Sequence, residues 1–119
     1  MLCRRASLLC VVGGLTFAAA TIAAAASERL PIYSPERWCE HVARATGARS
    51  ELVYGGCLDE EQSSYDALKP RWGDLSAQTQ RWCNQVATAP GSGSYLILRG
   101  CVDEELKAAH ENAQRQFRR

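Results

Sequence analysis

Apolar residues recur along this chain in short stretches at helical spacing, and the main stretch occurs twice. In the first copy Trp38, Cys39, Val42, Ala43 and Thr46 fall on one face of a helix. Ser34-Pro35-Glu36 has the chemistry of a helix start: a hydroxyl for orphan backbone N–H groups, a proline for the first turn, and an early acid at the positive dipole end. Gly47 predicts the stop. A second stripe runs through Tyr54, Cys57, Leu58, Glu61, Tyr65 and Leu68, with Ser50 as its cap. Pro70 and Gly73 predict a corner, with Trp72 as a plug between two units. The pattern then restarts. Ser76, or Asp74, predicts a cap for the face of Thr79, Trp82, Cys83, Val86 and Ala87. Pro90 to Ser94 is a breaker run, and Ser94 predicts the cap of a last helix through Leu98, Cys101, Val102 and Glu105. Beyond Leu106 the face turns alanine-rich and charged, so the end to Arg119 is expected to protrude and fray.

The two halves align without a gap. Arg37-Trp38-Cys39-x-x-Val42-Ala43, then Gly56-Cys57-x-Asp59-Glu60-Glu61, returns as Arg81-Trp82-Cys83-x-x-Val86-Ala87, then Gly100-Cys101-x-Asp103-Glu104-Glu105, offset by 44 residues throughout. Each copy reads as a helical hairpin with one cysteine on each arm, about 34–72 and about 76–117. The expected fold is therefore all-α: two tandem disulfide-closed hairpins, four helices in all. Gly55 and Gly56 inside a helix cost about 1 kcal/mol each relative to alanine. Only Gly56 recurs, as Gly100, so a glycine beside each cysteine predicts close approach of two helix backbones.

The first 26 residues change the picture. Arg4 and Arg5, an apolar run from Leu8 to Ile22, and Ala24-Ala25-Ala26 have the three parts of a secretory signal with cleavage before Ser27. The run is also about long enough for an uncleaved membrane anchor, which is the rival reading. Leu9 before Cys10 does not suit a lipoprotein signal, and the residues after Arg4-Arg5 do not suit twin-arginine export. Cys3 and Cys10 fall in this segment, and residues 27–119 form the domain. Cys39, Cys57, Cys83 and Cys101 remain, an even number at regular spacing behind an export signal, which reads as disulfides in an oxidising compartment. Four cysteines allow three pairings; the repeat favours Cys39–Cys57 and Cys83–Cys101, because each unit then closes itself. A loop of 17 intervening residues gives about 3 kcal/mol per bridge in the chain-entropy account. That substitutes for apolar area which a chain this short lacks.

Charge excludes one class of partner. Basic residues number 14 and acidic residues 13, and two of the basic ones are Arg4 and Arg5, so the mature chain is near −1. That argues against nucleic acid, which calls for a basic face. The other recurring residues read as structural. Trp38 and Trp82 adjoin the first cysteine of each unit and are expected to cover the sulfurs. Arg37 and Arg81 are expected to pair across the arms with Glu61 and Glu105.

Redox thiols favour Cys-x-x-Cys at a helix start and haem attachment needs Cys-x-x-Cys-His; neither occurs. Cys39, His41 and Cys57 would suit zinc, but Gln85 stands at the counterpart of His41. The Asp-Glu-Glu triplets carry charge for calcium, but successive acids on a helix point in different directions. His110 reads as a solvated helix residue. No Gly-rich phosphate loop, GxSxG or HExxH is present. No cofactor and no enzyme activity are expected.

Trp82-Cys83-x-x-Val86-Ala87, Gly91-Ser92-x-Ser94-Tyr95 and Cys101-Val102-x-x-Glu105 resemble small exported bacterial proteins of unknown function with a cysteine-bearing helical repeat. The first copy departs at Ala48-Arg49-Ser50-Glu51. The resemblance implies export and a stapled helical fold, and no activity. Mitochondrial twin-cysteine hairpins use a nine-residue spacing and two bridges per hairpin, which this chain does not have. The expected function is a non-catalytic binding or envelope-interaction module, periplasmic or secreted, whose partner is a protein or envelope component, with no membrane span in the mature chain. A thiol-redox accessory and a cation binder through the Asp-Glu-Glu clusters are the alternatives.

Overall fold

A computed structural model describes residues 25–119; the predicted export segment up to Ala24, with Cys3 and Cys10, lies outside the described residues. Four helices follow in order: α1 (Pro35–Ala43), α2 (Glu51–Leu68), α3 (Ala77–Thr88) and α4 (Tyr95–Asn112). A 3₁₀ turn at Trp72–Asp74 joins α2 to α3. Among the described residues there is no strand. α1 packs on α2, α3 packs on α4, and the two long helices join the halves by packing on each other.

Three of the four expected caps form. The hydroxyls of Ser50, Ser76 and Ser94 accept from the N–H groups of Val53 (3.3 Å), Thr79 (3.1 Å) and Ile97 (3.2 Å). Ser34 makes no side-chain cap; α1 starts on Pro35 at its first turn and on the backbone bond from Trp38 N–H to Ser34 O, 3.1 Å. The hairpin loops close alike. Ser50 N–H donates to Ala43 O (3.0 Å) and Ser94 N–H to Ala87 O (3.2 Å). Gly47 and Gly91 take φ of 118° and 116°, where a side chain would be strained. These pairs stand at the sequence offset, although the loop sequences differ.

Each hairpin is closed by its own bridge, Cys39–Cys57 and Cys83–Cys101, with Cα atoms 5.5 Å apart in both. The core is not shared equally. Leu68, Trp72, Leu75, Cys83, Ala87, Tyr95, Leu98 and Val102 form one buried cluster, with Leu30, Tyr33 and Tyr65 packed against it. Cys39 and Ala43 of α1 are buried outside that cluster. The bridge to α2 thus carries more of the work of holding α1, a nine-residue helix too short to persist alone.

Two expectations about packing are corrected. A Cβ added at Gly56 or Gly100 would meet nothing within 4 Å, so these glycines do not mediate a close helix approach. On α3 the expected face is buried at Cys83 and Ala87, but Gln80 is buried in place of Thr79, and Thr79, Trp82 and Val86 lie at its edge. A bridged cysteine must point at its partner, and residues three before and four after it share that face. Trp82 consequently keeps 51% of its surface exposed. Trp38 is half-buried beside His41. From Leu106 onward every residue of α4 and the tail is exposed, as the sequence implied.

Candidate functional site

The Asp-Glu-Glu triplets are where the halves part company. Glu61 lies on the inner face of α2, 1% exposed. One carboxylate oxygen accepts from Tyr95 N–H at 2.6 Å; the other accepts from the Ser94 hydroxyl and, at 3.5 Å, from Leu96 N–H. The Ser94 hydroxyl in turn accepts from Ile97 N–H. The first three amides of α4, which have no partner inside their own helix, are thus satisfied. A negative group also sits at the positive end of the helix dipole. Glu61 of one hairpin caps the second helix of the other.

The expected ion pairs Arg37–Glu61 and Arg81–Glu105 do not form. Among the described residues the ion pairs are Glu40 with Arg44 and Arg49, Arg49 with Glu51, Asp103 with Arg71 and Arg99, and Glu111 with Arg115. The physical reason lies in the donors. Backbone amides at a helix start are fixed by the fold, whereas an exposed Arg37 would give up hydration and rotamer freedom to bond. Among the described residues Glu105 caps no helix and lies half-buried in a recess with Trp82, Ser76 and Thr79; Arg81 is exposed.

Over this cap runs the segment 27–34. The Tyr95 hydroxyl donates to Pro31 O (2.9 Å) and accepts from Tyr33 N–H (3.1 Å). The Tyr33 and Tyr95 rings pack with centroids 4.7 Å apart, and Tyr65 meets Tyr95 edge-on at 4.9 Å. The Tyr33 hydroxyl donates to Asn84 Oδ1 at 2.7 Å. Its ring lies against Gly93, which has φ of 78° and where a Cβ would come within 2.5 Å of the ring. Gln80, 6% exposed, clasps the start of the segment. It accepts from Ser27 N–H (2.7 Å) and donates to the carbonyls of Ser27 (2.7 Å) and Trp72 (2.8 Å). Burial, followed by the neighbouring Tyr95 and Glu61, pushes the Tyr33 phenol well above its ordinary range. Burial also raises Tyr95, opposed by the hydrogen bond from Tyr33.

Between this strap and α2 lies a groove of about 560 Å³. Leu30, Pro31 and Ile32 line it from the strap; Leu58, Gln62 and Tyr65 line it from α2. Glu36, Asp59 and Glu61 bring negative charge, and Ile32 stands 96% exposed at the lip. The volume falls in the range of small-ligand sites.

Sequence reasoning named Glu61 and Ser94 but did not connect them, and it missed Gln80, Tyr33 and Tyr95. One signal was present for Gln80. It sits three residues before a bridged cysteine, so it must be buried, and a buried amide needs partners. Cys39 and Cys83 are wholly buried, with Cys57 and Cys101 partly so. Among the described residues no three His, Cys, Asp or Glu side chains converge as a metal-ligand set, and no helix is long and apolar enough to cross a membrane. Comparison with family models, with curated proteins and with solved structures finds nothing that matches this chain.

Proposed function

We propose that the chain is an exported, non-catalytic binding module, processed before Ser27, whose ligand or partner sits in the groove between the strap and α2. The observation that carries this reading is the groove itself: ligand-sized, mostly apolar, ringed by carboxylates, and built on a scaffold stapled twice. A rigid frame around a concave apolar surface favours binding, because little order is lost on association. Processing before Ser27 suits the strap. Gln80 holds the backbone of Ser27 on both sides, while Ala25 and Ala26 are exposed. Two disulfides and the resemblance of the cysteine repeat to exported bacterial proteins point to the same oxidising setting.

The test places a photo-crosslinking residue at the lip, Ile32→p-benzoylphenylalanine, and a control at the exposed Leu106 beyond the groove. Irradiation in intact cells is expected to give a discrete adduct from position 32 and none from 106. Equal labelling from both positions, or none from 32, overturns the reading.

A further inference from the structure

The 44-residue correspondence shows what the groove lacks. Glu36 and Leu58 are the counterparts of Gln80 and Val102. In the second hairpin that pair of positions is covered: Val102 is fully buried in the cluster that contains Trp72, and Gln80 donates to the Trp72 carbonyl. The first hairpin has no such cover. Glu28 holds the register of Trp72, and it lies instead against Gly73. Leu58 and Glu36 are left lining the groove. The polar group at this position also changes sense. Gln80 offers a donor to a carbonyl, whereas a glutamate carboxylate only accepts. Asp59 adds charge of the same sign, whereas the Glu61 carboxylate is spent on the α4 cap, and the basic residues nearby, Arg29 and Lys69, line the adjoining recess at Tyr65.

We infer that the groove takes a small organic ammonium with an aromatic body, which fills over Leu58 the place that the Trp72 corner fills in the second hairpin and meets Glu36 and Asp59 with its charge. This rests on the groove being the binding site. Tyr65 lends the groove apolar surface only, since the Lys69 ammonium already lies over its ring, 5.4 Å from the centroid.

The test titrates three probes of one shape into the ¹⁵N-labelled protein: 2-phenylethylammonium, 2-phenylethanol and 3-phenylpropionate. The ammonium is expected to shift the amide resonances of Leu58, Asp59 and Gln62 saturably, with the anion at least about tenfold weaker. Glu36→Gln with Asp59→Asn, both exposed and outside the cap, should weaken the ammonium about fivefold and leave the alcohol unchanged. Equal binding of all three probes overturns the charge assignment while leaving the groove as a binding site. No shift of the groove amides by any probe up to about 10 mM overturns the inference altogether. Whether the groove captures a cellular partner is read separately, by the crosslink from position 32.

Discussion

Glu61 and Arg37 separate two accounts of the same motif. If Glu61 served an exposed ion pair, its loss and the loss of Arg37 would cost alike, well under about 1 kcal/mol. The buried cap predicts otherwise. Glu61→Gln keeps the shape but removes the charge and turns one acceptor into a donor facing N–H groups, so urea unfolding should show a loss of about 2 kcal/mol, against less than about 0.5 for Arg37→Ala. Equal effects would restore the ion pair. The helix-interior glycines give a gain instead. Since a Cβ at Gly56 or Gly100 meets open space, alanine at each should raise stability by about 1 kcal/mol. The phenols set an alkaline limit. Tyr33 and Tyr95 have folded pKa values above the unfolded value near 10. Their contribution is therefore full below pH about 10 and lost as the pH climbs past it through the raised values. Tyrosine absorbance should show these two ionising only together with loss of helix signal, and Tyr33→Phe should remove one late phenol. Complete ionisation with the helices intact would contradict the buried pair.

At the scale of elements, the two bridges are alike in sequence spacing and in Cα separation but not in surroundings. Cys83 belongs to the main cluster; Cys39 does not. Cys39→Ser with Cys57→Ser should release α1 to rapid amide exchange while α2, α3 and α4 keep their protection. Cys83→Ser with Cys101→Ser should lower the protection of all four helices. Identical exchange patterns from the two variants would show the halves to be equivalent after all. The elements themselves were legible: serine caps at 50, 76 and 94 and the cysteine pairing follow from local rules and from a repeat that needs no gap, although α1 ends at Ala43, short of the expected Thr46 and the stop at Gly47. The α3 face was legible at Cys83 and Ala87 but not at Gln80, because a polar residue gives no apolar signal although the bridged cysteine three residues on turns it inward. In sequence the strap is only a polar lead, because its bonds run to Gln80, Asn84 and Tyr95, more than fifty residues away, and no local pattern encodes them.

The whole molecule is an asymmetric pair built from a symmetric sequence. Glu61 caps α4, but among the described residues its counterpart Glu105 caps no helix, and Asn112 stands where Leu68 is buried. The opposite end keeps an apolar face at Leu58 that the strap only partly roofs, and this is the groove. The candidate site was thus illegible in either copy alone; it arises from the difference between copies. Among the described residues the main buried cluster has eight members, a small core that returns the burden to the sulfur links. The most direct measurement is urea unfolding of the oxidised protein beside the same protein reduced and alkylated, followed by helix signal. The account predicts a single cooperative transition for the oxidised form and extensive loss of helix without denaturant for the reduced one. A reduced protein that unfolds at the same midpoint would contradict it.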